Sequence, residues 1–381
     1  GGNGGDGGLG GYGSGARRGS GGGGGGGGHG YYQAAAPGLT SIYVGGQLYG
    51  GNGGAGGNQT SFGFAGQGGD GGYGLYSDAP GLTLTISATA EIVGGNGGLG
   101  GLNRENERAS GGTGGAGAGG INLTIINSGS ISGGLSSDGT RANAVTFGAG
   151  DNVYEHRAGS SVTGNVVGDG DDLLRLGGNT DGTFDLALIG STYRGFGSFE
   201  KTGNSTFTLG GTTTQLTPWT ISDGVLEILS AGALGAETGL LTFNNPDTAL
   251  EFTAVLRSYD NLNTARDIRF LGNGAIDMTS GTTATLSGNF TGGGRFIKTG
   301  RGRVILNGDG SGRTGTTYLD DGTLTIGRSN ALGSGDLIVD TGTTLMLNDA
   351  VAIANNVLLS NDPSSSSSTA TFQQSSGNAT I

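Results

Sequence analysis

Cysteine is absent from this chain, which excludes disulfide staples and thiolate metal sites and leaves the redox compartment open. Charge is sparse: only 13% of residues are charged, the balance is a formal −12, and Arg17 and Arg18 form the one basic pair, so nucleic acid is not an expected partner. No run approaches the roughly 20 apolar residues of a membrane-spanning helix. Histidine occurs only at His29 and His156. A Ser-His-Asp arrangement needs such a base, yet His29 closes a glycine tract, His156 sits in a strand-like run, and no Gly-x-Ser-x-Gly elbow accompanies either. An enzyme is therefore not expected, nor a cofactor. The many Gly-x-Gly-x-x-Gly matches arise from composition, and none opens a helix after a strand. The first residues have neither a basic n-region nor an apolar h-region. With no initiator Met, and an end inside an alternating segment, the chain reads as a piece of something longer.

What is abundant is glycine, 92 residues of 381, with 50 of the 92 before Ile121. Glycine loses more backbone freedom on folding than any other residue, so dense backbone bonding or close backbone packing must compensate. Before Gly120 the glycines keep a period of three, as in Gly1-Gly2-Asn3-Gly4-Gly5-Asp6, and again around Asn52, Ala55 and Asn58, and around Asn96, Leu99 and Leu102. Three residues per turn is the polyproline II period, which would give two bare faces and one side-chain face. The region 1–120 is either a polyglycine II bundle on a strand scaffold or a flexible coil. Leu39–Val44 and Leu82–Ile86 read as scaffold strands. The octet Gly21–Gly28 has no third-position marker and is expected to be mobile.

From Ile121 to Ile381 the pattern changes to strands of four to six residues punctuated by Gly, Asn and Asp, as in Ile121–Ile126, Ala144–Phe147 and Thr343–Leu347, so an all-β fold is expected. Internal repetition narrows this. Phe199-Glu200-Lys201-Thr202-Gly203 matches Phe296-Ile297-Lys298-Thr299-Gly300. Asp223-Gly224-Val225-Leu226 matches Asp321-Gly322-Thr323-Leu324, and Ala233-Leu234-Gly235 matches Ala331-Leu332-Gly333. The constant offset implies stacking of several rungs per repeat, at roughly 20 to 25 residues and about 4.8 Å each. Repeats are placed at about 199–295 and 296–381.

The Lys-Thr-Gly, Asp-Gly-x-Leu and Ala-Leu-Gly series resembles the autotransporter-associated β-strand repeat of type V secretion passengers. The segments Asn127–Gly134, Ala142–Phe147 and Ser160–Val167 are similar to such passengers too. The resemblance implies an all-β fold, a right-handed parallel β-helix (β-solenoid) with glycine-rich loops in the N-terminal third. It also implies export through a C-terminal outer-membrane barrel not contained in this chain, which would be the only membrane attachment, and a place on the surface of, or outside, a Gram-negative bacterium. The function expected is that of an adhesin presenting loops to protein or glycan on host, matrix or neighbouring cells. The alternative is self-association into a fibre or surface layer.

Three candidate sites remain. Asp169, Asp171 and Asp172 resemble a single calcium-binding nonapeptide turn, or form a plain Asp/Gly turn. Thr83-x-Thr85 and Thr323-x-Thr325 would need an in-register ladder to make an ice-binding face, and none is evident. Seven of the 11 tyrosines precede residue 77. Of these, Tyr12, Tyr31, Tyr32, Tyr49, Tyr73 and Tyr76, with Phe62, are the candidate binding surface; the other reading is that the rings pin the glycine layer to the solenoid.

Overall fold

A computed structural model describes residues 2–9, 20–35, 38–60, 63–246, 254–360 and 369–376. Two compact units are present, residues 1–174 with 190–196, and residues 175–189 with 197–381. Among the described residues the strands pair in parallel ladders, and the only helices are two short 3₁₀ turns. The fold is a parallel β-solenoid.

In the first unit each turn of the coil supplies three strands. Tyr31–Gln33, Leu75–Ser77, Ala118–Gly120 and Val145–Phe147 stack on one face. Ser41–Val44, Thr83–Ile86, Thr124–Asn127 and Val153–Arg157 stack on the second, and Gln47–Tyr49, Glu91–Val93, Ser130–Ser132 and Ser161–Thr163 on the third. Alternation along a strand sends every second side chain inward, so Leu84, Ile125 and Tyr154 form one fully buried column.

The early turns are long. Tyr31 pairs with Leu75 and Leu75 with Ala118, steps of 44 and 43 residues, whereas Ala118 pairs with Val145 and Val145 with Val166, steps of 27 and 21. The surplus runs out and back as polyglycine II. Gly51, Gly54 and Gly57 donate their N–H groups to the carbonyls of Gly28, Gly25 and Gly22, while Gly53 and Gly56 donate to Asn96 and Leu99, all at 2.8 Å. The partner changes with a period of three, as a threefold helix requires. Bare glycine is obligatory here: a Cβ on Gly54 would lie 2.1 Å from the Gly5 carbonyl oxygen.

The octet Gly21–Gly28 departs from its expected mobility. Gly21, Gly24 and Gly27 donate to Phe64, Gln67 and Asp70, and Gly22, Gly25 and Gly28 donate to Gly8, Gly5 and Gly2. Gly23 and Gly26 take the third position, where an added Cβ would meet nothing nearer than 3.7 Å. The period is present in the backbone; glycine at the marker position hides it from the sequence.

Third-position side chains are also used. Asn52 N–H bonds to Asn3 Oδ1 (2.9 Å), Asn96 N–H to Asn52 Oδ1 (2.8 Å) and Leu135 N–H to Asn96 Oδ1 (2.7 Å). Each amide oxygen stands in for a backbone carbonyl and ties one turn to the next.

In the second unit, Val255, Ala275, Ile297, Tyr318, Ile338 and Leu358 are successive register partners, at steps of 20 to 22 residues. Inside, Phe243 and Phe270 stack with centroids 5.1 Å apart, and Ala284, Val304, Leu324 and Leu345 form an aliphatic column. Thr323 stacks in register on Thr344 and Thr344 on Thr371, but Thr325 pairs with Met346 and Thr323 with Arg303 on its other side, so the Thr-x-Thr pair does not repeat on consecutive turns there.

The repeated motifs prove to be corners. Lys201 is buried and donates from Nζ to the carbonyls of Thr202 (2.8 Å), Gly203 (2.6 Å) and Asp223 (3.2 Å). Lys298 does the same to Thr299 (2.8 Å), Gly300 (2.5 Å) and Asp321 (2.9 Å). One ammonium thus satisfies three carbonyls from two successive turns. Register from Phe199 through Trp219, Leu241 and Ile268 to Phe290 makes four turns, and Phe296–Thr299 lies on the next face. The motif encodes a corner, used at a different edge of the solenoid in each copy.

The Ala-Leu-Gly turns are closed by buried arginines that sequence reading passed over. Arg266 donates to the carbonyls of Leu234 (2.6 Å) and Ala236 (2.7 Å), and Arg313 to Leu332 (3.0 Å) and Thr316 (2.7 Å).

Candidate functional site

The coil brings residues one long turn apart into contact, and four aromatic side chains of the first unit meet in this way. His29 stacks with Tyr32 (centroids 5.9 Å, 28°) and Tyr76 (5.8 Å, 22°), and Tyr73 meets His29 and Tyr76 edge-on at 5.5 and 5.0 Å. Two of the four come from strands, where Tyr32 and Tyr76 are register partners. The other two end polyglycine segments, and Tyr73 N–H donates to His29 Nδ1 (3.2 Å). Tyr73 lies over Gly119, where an added Cβ would stand 2.8 Å from the ring. The Tyr32 hydroxyl donates to Asp78 Oδ2 at 2.6 Å, the main reason its phenol is raised above the ordinary value. Burial, then the Asp78 charge, raises Tyr76 too. Both remain protonated at neutral pH.

Of the candidate residues, Tyr32, Tyr73 and Tyr76 come together. Tyr31 neighbours Tyr32 and so projects from the opposite side of the strand, bonding to Gln33, and Tyr49 bonds to Glu91 at 2.8 Å. Tyr12 and Phe62 lie outside the described residues. The two readings of the rings are not exclusive in geometry: the cluster joins glycine segments to strands while Tyr32 stays 51% exposed. His29, the cluster's hub, was missed. The 44-residue interval from His29 to Tyr73, which also separates Asn52 from Asn96, is the signal that finds it.

Beside Tyr73 opens a groove of ≈ 430 Å³ lined by Asp70, Thr113, Ser136, Asn143 and Thr146. Asp70 Oδ1 accepts from Thr113 N–H (2.7 Å) and hydroxyl (2.9 Å), Ser136 Oγ accepts from Gly114 N–H (3.0 Å), and Asn143 Nδ2 donates to Thr146 Oγ1 (3.0 Å). The groove marks a step in the bundle. Gly71 and Gly74 N–H groups find backbone carbonyls at Thr113 and Ala116, but Gly114 finds a serine hydroxyl, because the next excursion has already turned back near Gly139.

His156 is enclosed, with Nδ1 3.0 Å from Ser160 Oγ and 3.5 Å from the Tyr193 hydroxyl, and burial lowers its pKa to about 4. Behind it, Asn127 Nδ2 donates to the buried Tyr154 hydroxyl at 3.0 Å. The neutral imidazole belongs to the interior of the coil. Asp172, also buried, accepts from Asn152 N–H and Nδ2 (both 3.0 Å) through Oδ1 and from Asp169 N–H (3.1 Å) through Oδ2. Asp171 is exposed. Among the described residues no three His, Cys, Asp or Glu side chains are grouped to hold a metal ion.

Over 170 residues, 44% of the chain, the sequence is 31% identical to the adhesin BmaC autotransporter of Brucella suis biovar 1 (strain 1330). The chain is related to an autotransporter adhesin. The match spans 5% of that protein's length. No family model matches the chain, and no solved structure does. The parallel solenoid agrees with the passenger architecture that the Lys-Thr-Gly and Asp-Gly-x-Leu motifs imply.

Proposed function

We propose that this chain is a section of a surface passenger of a Gram-negative bacterium, exported by type V secretion, which acts by binding and not by catalysis. The solenoid is the rigid support, and the glycine-rich unit carries the contact surface toward host, matrix or neighbouring cells. The observation that carries this reading is the convergence of His29, Tyr32, Tyr73 and Tyr76 at the exposed junction of strands and glycine bundle. Rigid rings with polar tips bind partners at low entropic cost. Similarity to an adhesin supports the same role, and the burial of His156 argues against its use as a base.

The test is display of the chain through a heterologous barrel on a non-adherent bacterium, scored for attachment to epithelial cells and matrix proteins. Attachment should rise, and Tyr32→Ser should reduce it. Failure to attach to any surface, or attachment indifferent to the substitution, refutes the proposal.

A further inference from the structure

We infer that the groove between Asp70 and Thr146 binds a neutral oligosaccharide. The inference rests on the binding role proposed above and names the ligand class of one site. Its lining includes both halves of sugar recognition, the Tyr73 residue for a C–H face and the short polar side chains of Asp70, Thr113, Ser136, Asn143 and Thr146.

The hydrogen-bonding inventory decides the chemistry. Asp70 Oδ1 is used twice by Thr113, and among the described residues Asp70 Oδ2 and Asn143 Oδ1 have no partner. The Ser136 and Thr146 oxygens each accept one bond from the protein, which leaves their hydroxyl hydrogens to donate. One groove thus offers both acceptors and donors, the complement that sugar hydroxyls require, since each of them both donates and accepts. The sole charge in the lining is the Asp70 carboxylate, which disfavours sialylated, sulfated or phosphorylated ligands. The volume falls in the range of small-ligand sites. A proline-rich peptide could lie along a Tyr-walled groove, but it brings few donors for Asp70 and Asn143.

The groove is also a built feature. It exists because the excursion through Gly139 is shorter than the one before it, and Ser136 closes the Gly114 N–H that a longer helix would have taken. Lengthening the 133–143 excursion would fill it.

The experiment is saturation-transfer NMR on the full chain with chitotriose, maltotriose and lactose, against sialyllactose and a (Pro-Pro-Gly)₄ peptide. At least one neutral sugar should bind, with sialyllactose weaker. Asp70→Asn keeps an acceptor for Thr113 and should weaken binding about tenfold, as should Asn143→Ala, with exchange protection at Gly114 unchanged. Absence of binding by all three sugars, insensitivity to both substitutions, or binding of the peptide or sialyllactose in their place overturns the inference. Adhesion of displayed chain that persists in saturating sugar would defeat the groove assignment while leaving the adhesin reading intact. Adhesion lost only when sugar is added supports the assignment, whereas no adhesion even without added sugar defeats both.

Discussion

Replacing Gly98 by alanine is the sharpest test of the glycine bundle. Its added Cβ would stand 2.0 Å from the carbonyl oxygen of Gly54 and 2.8 Å from that of Gly53. Both obstacles are backbone, and a carbon needs about 3.5 Å, so the 94–101 segment must withdraw by about 1.5 Å. That withdrawal breaks the bonds from Gly53 to Asn96 and from Gly56 to Leu99, each 2.8 Å. Two bonds at about 1 kcal/mol each, with about 1 to 3 kcal/mol for overpacking, give a local loss of about 3 to 5 kcal/mol. Gly23→Ala is the matched control: its Cβ would meet only the Gln67 oxygen, at 3.8 Å, and should change stability by less than about 1 kcal/mol, on the favourable side. The excursion can open without unfolding the solenoid, so the assay is amide exchange at Gly53 and Gly56. The single tryptophan, Trp219, is buried in the other unit and serves as an internal control by fluorescence. Full protection in Gly98→Ala, or equal loss in Gly23→Ala, would refute the lattice.

Lys298→Met should cost about 2 to 4 kcal/mol in denaturant melts followed by Trp219, because three corner carbonyls lose their donor. Burial pulls the Lys298 ammonium down to about 8 against the raising effect of Asp321, Asp277 and Asp320. Between that value and 10.5 the unfolded chain holds a proton the folded chain has released. Native stability relative to Lys298→Met should therefore rise with pH across this window. His156 gives the acid counterpart: from 6.5 down to about 4 only the unfolded chain gains the proton, so stability falls by about 3 kcal/mol. That slope should vanish in His156→Gln, as measured by tyrosine near-ultraviolet dichroism. Arg313 sits over the rings of Phe270 and Phe296 at 5.5 and 5.9 Å. Arg313→Ala should cost about 3 to 5 kcal/mol by calorimetry, since the Leu332 and Thr316 carbonyls lose their charged donor and a cavity opens.

Local pattern by itself determined that the described residues after Gly120 fold mainly as strands, that the strands belong to stacked coils, and that the Lys-Thr-Gly series recurs. Each depends only on alternation and turn chemistry, which neighbours along the chain reveal. The threefold glycine period likewise announced a bare-faced helix. Whether that helix is ordered depended on partners a whole turn away. Gly25 finds Gly5, and Gly54 finds Gly25, only after the coil has closed, and an unmarked octet carries no trace of either bond. The same distance hid the candidate site. His29, Tyr73 and Asn143 become neighbours of one surface because turns of 44 and 43 residues are followed by one of 27. Turn length is a property of the stacked register, in which hydrogen bonds choose the partner, and no local pattern of residues contains it.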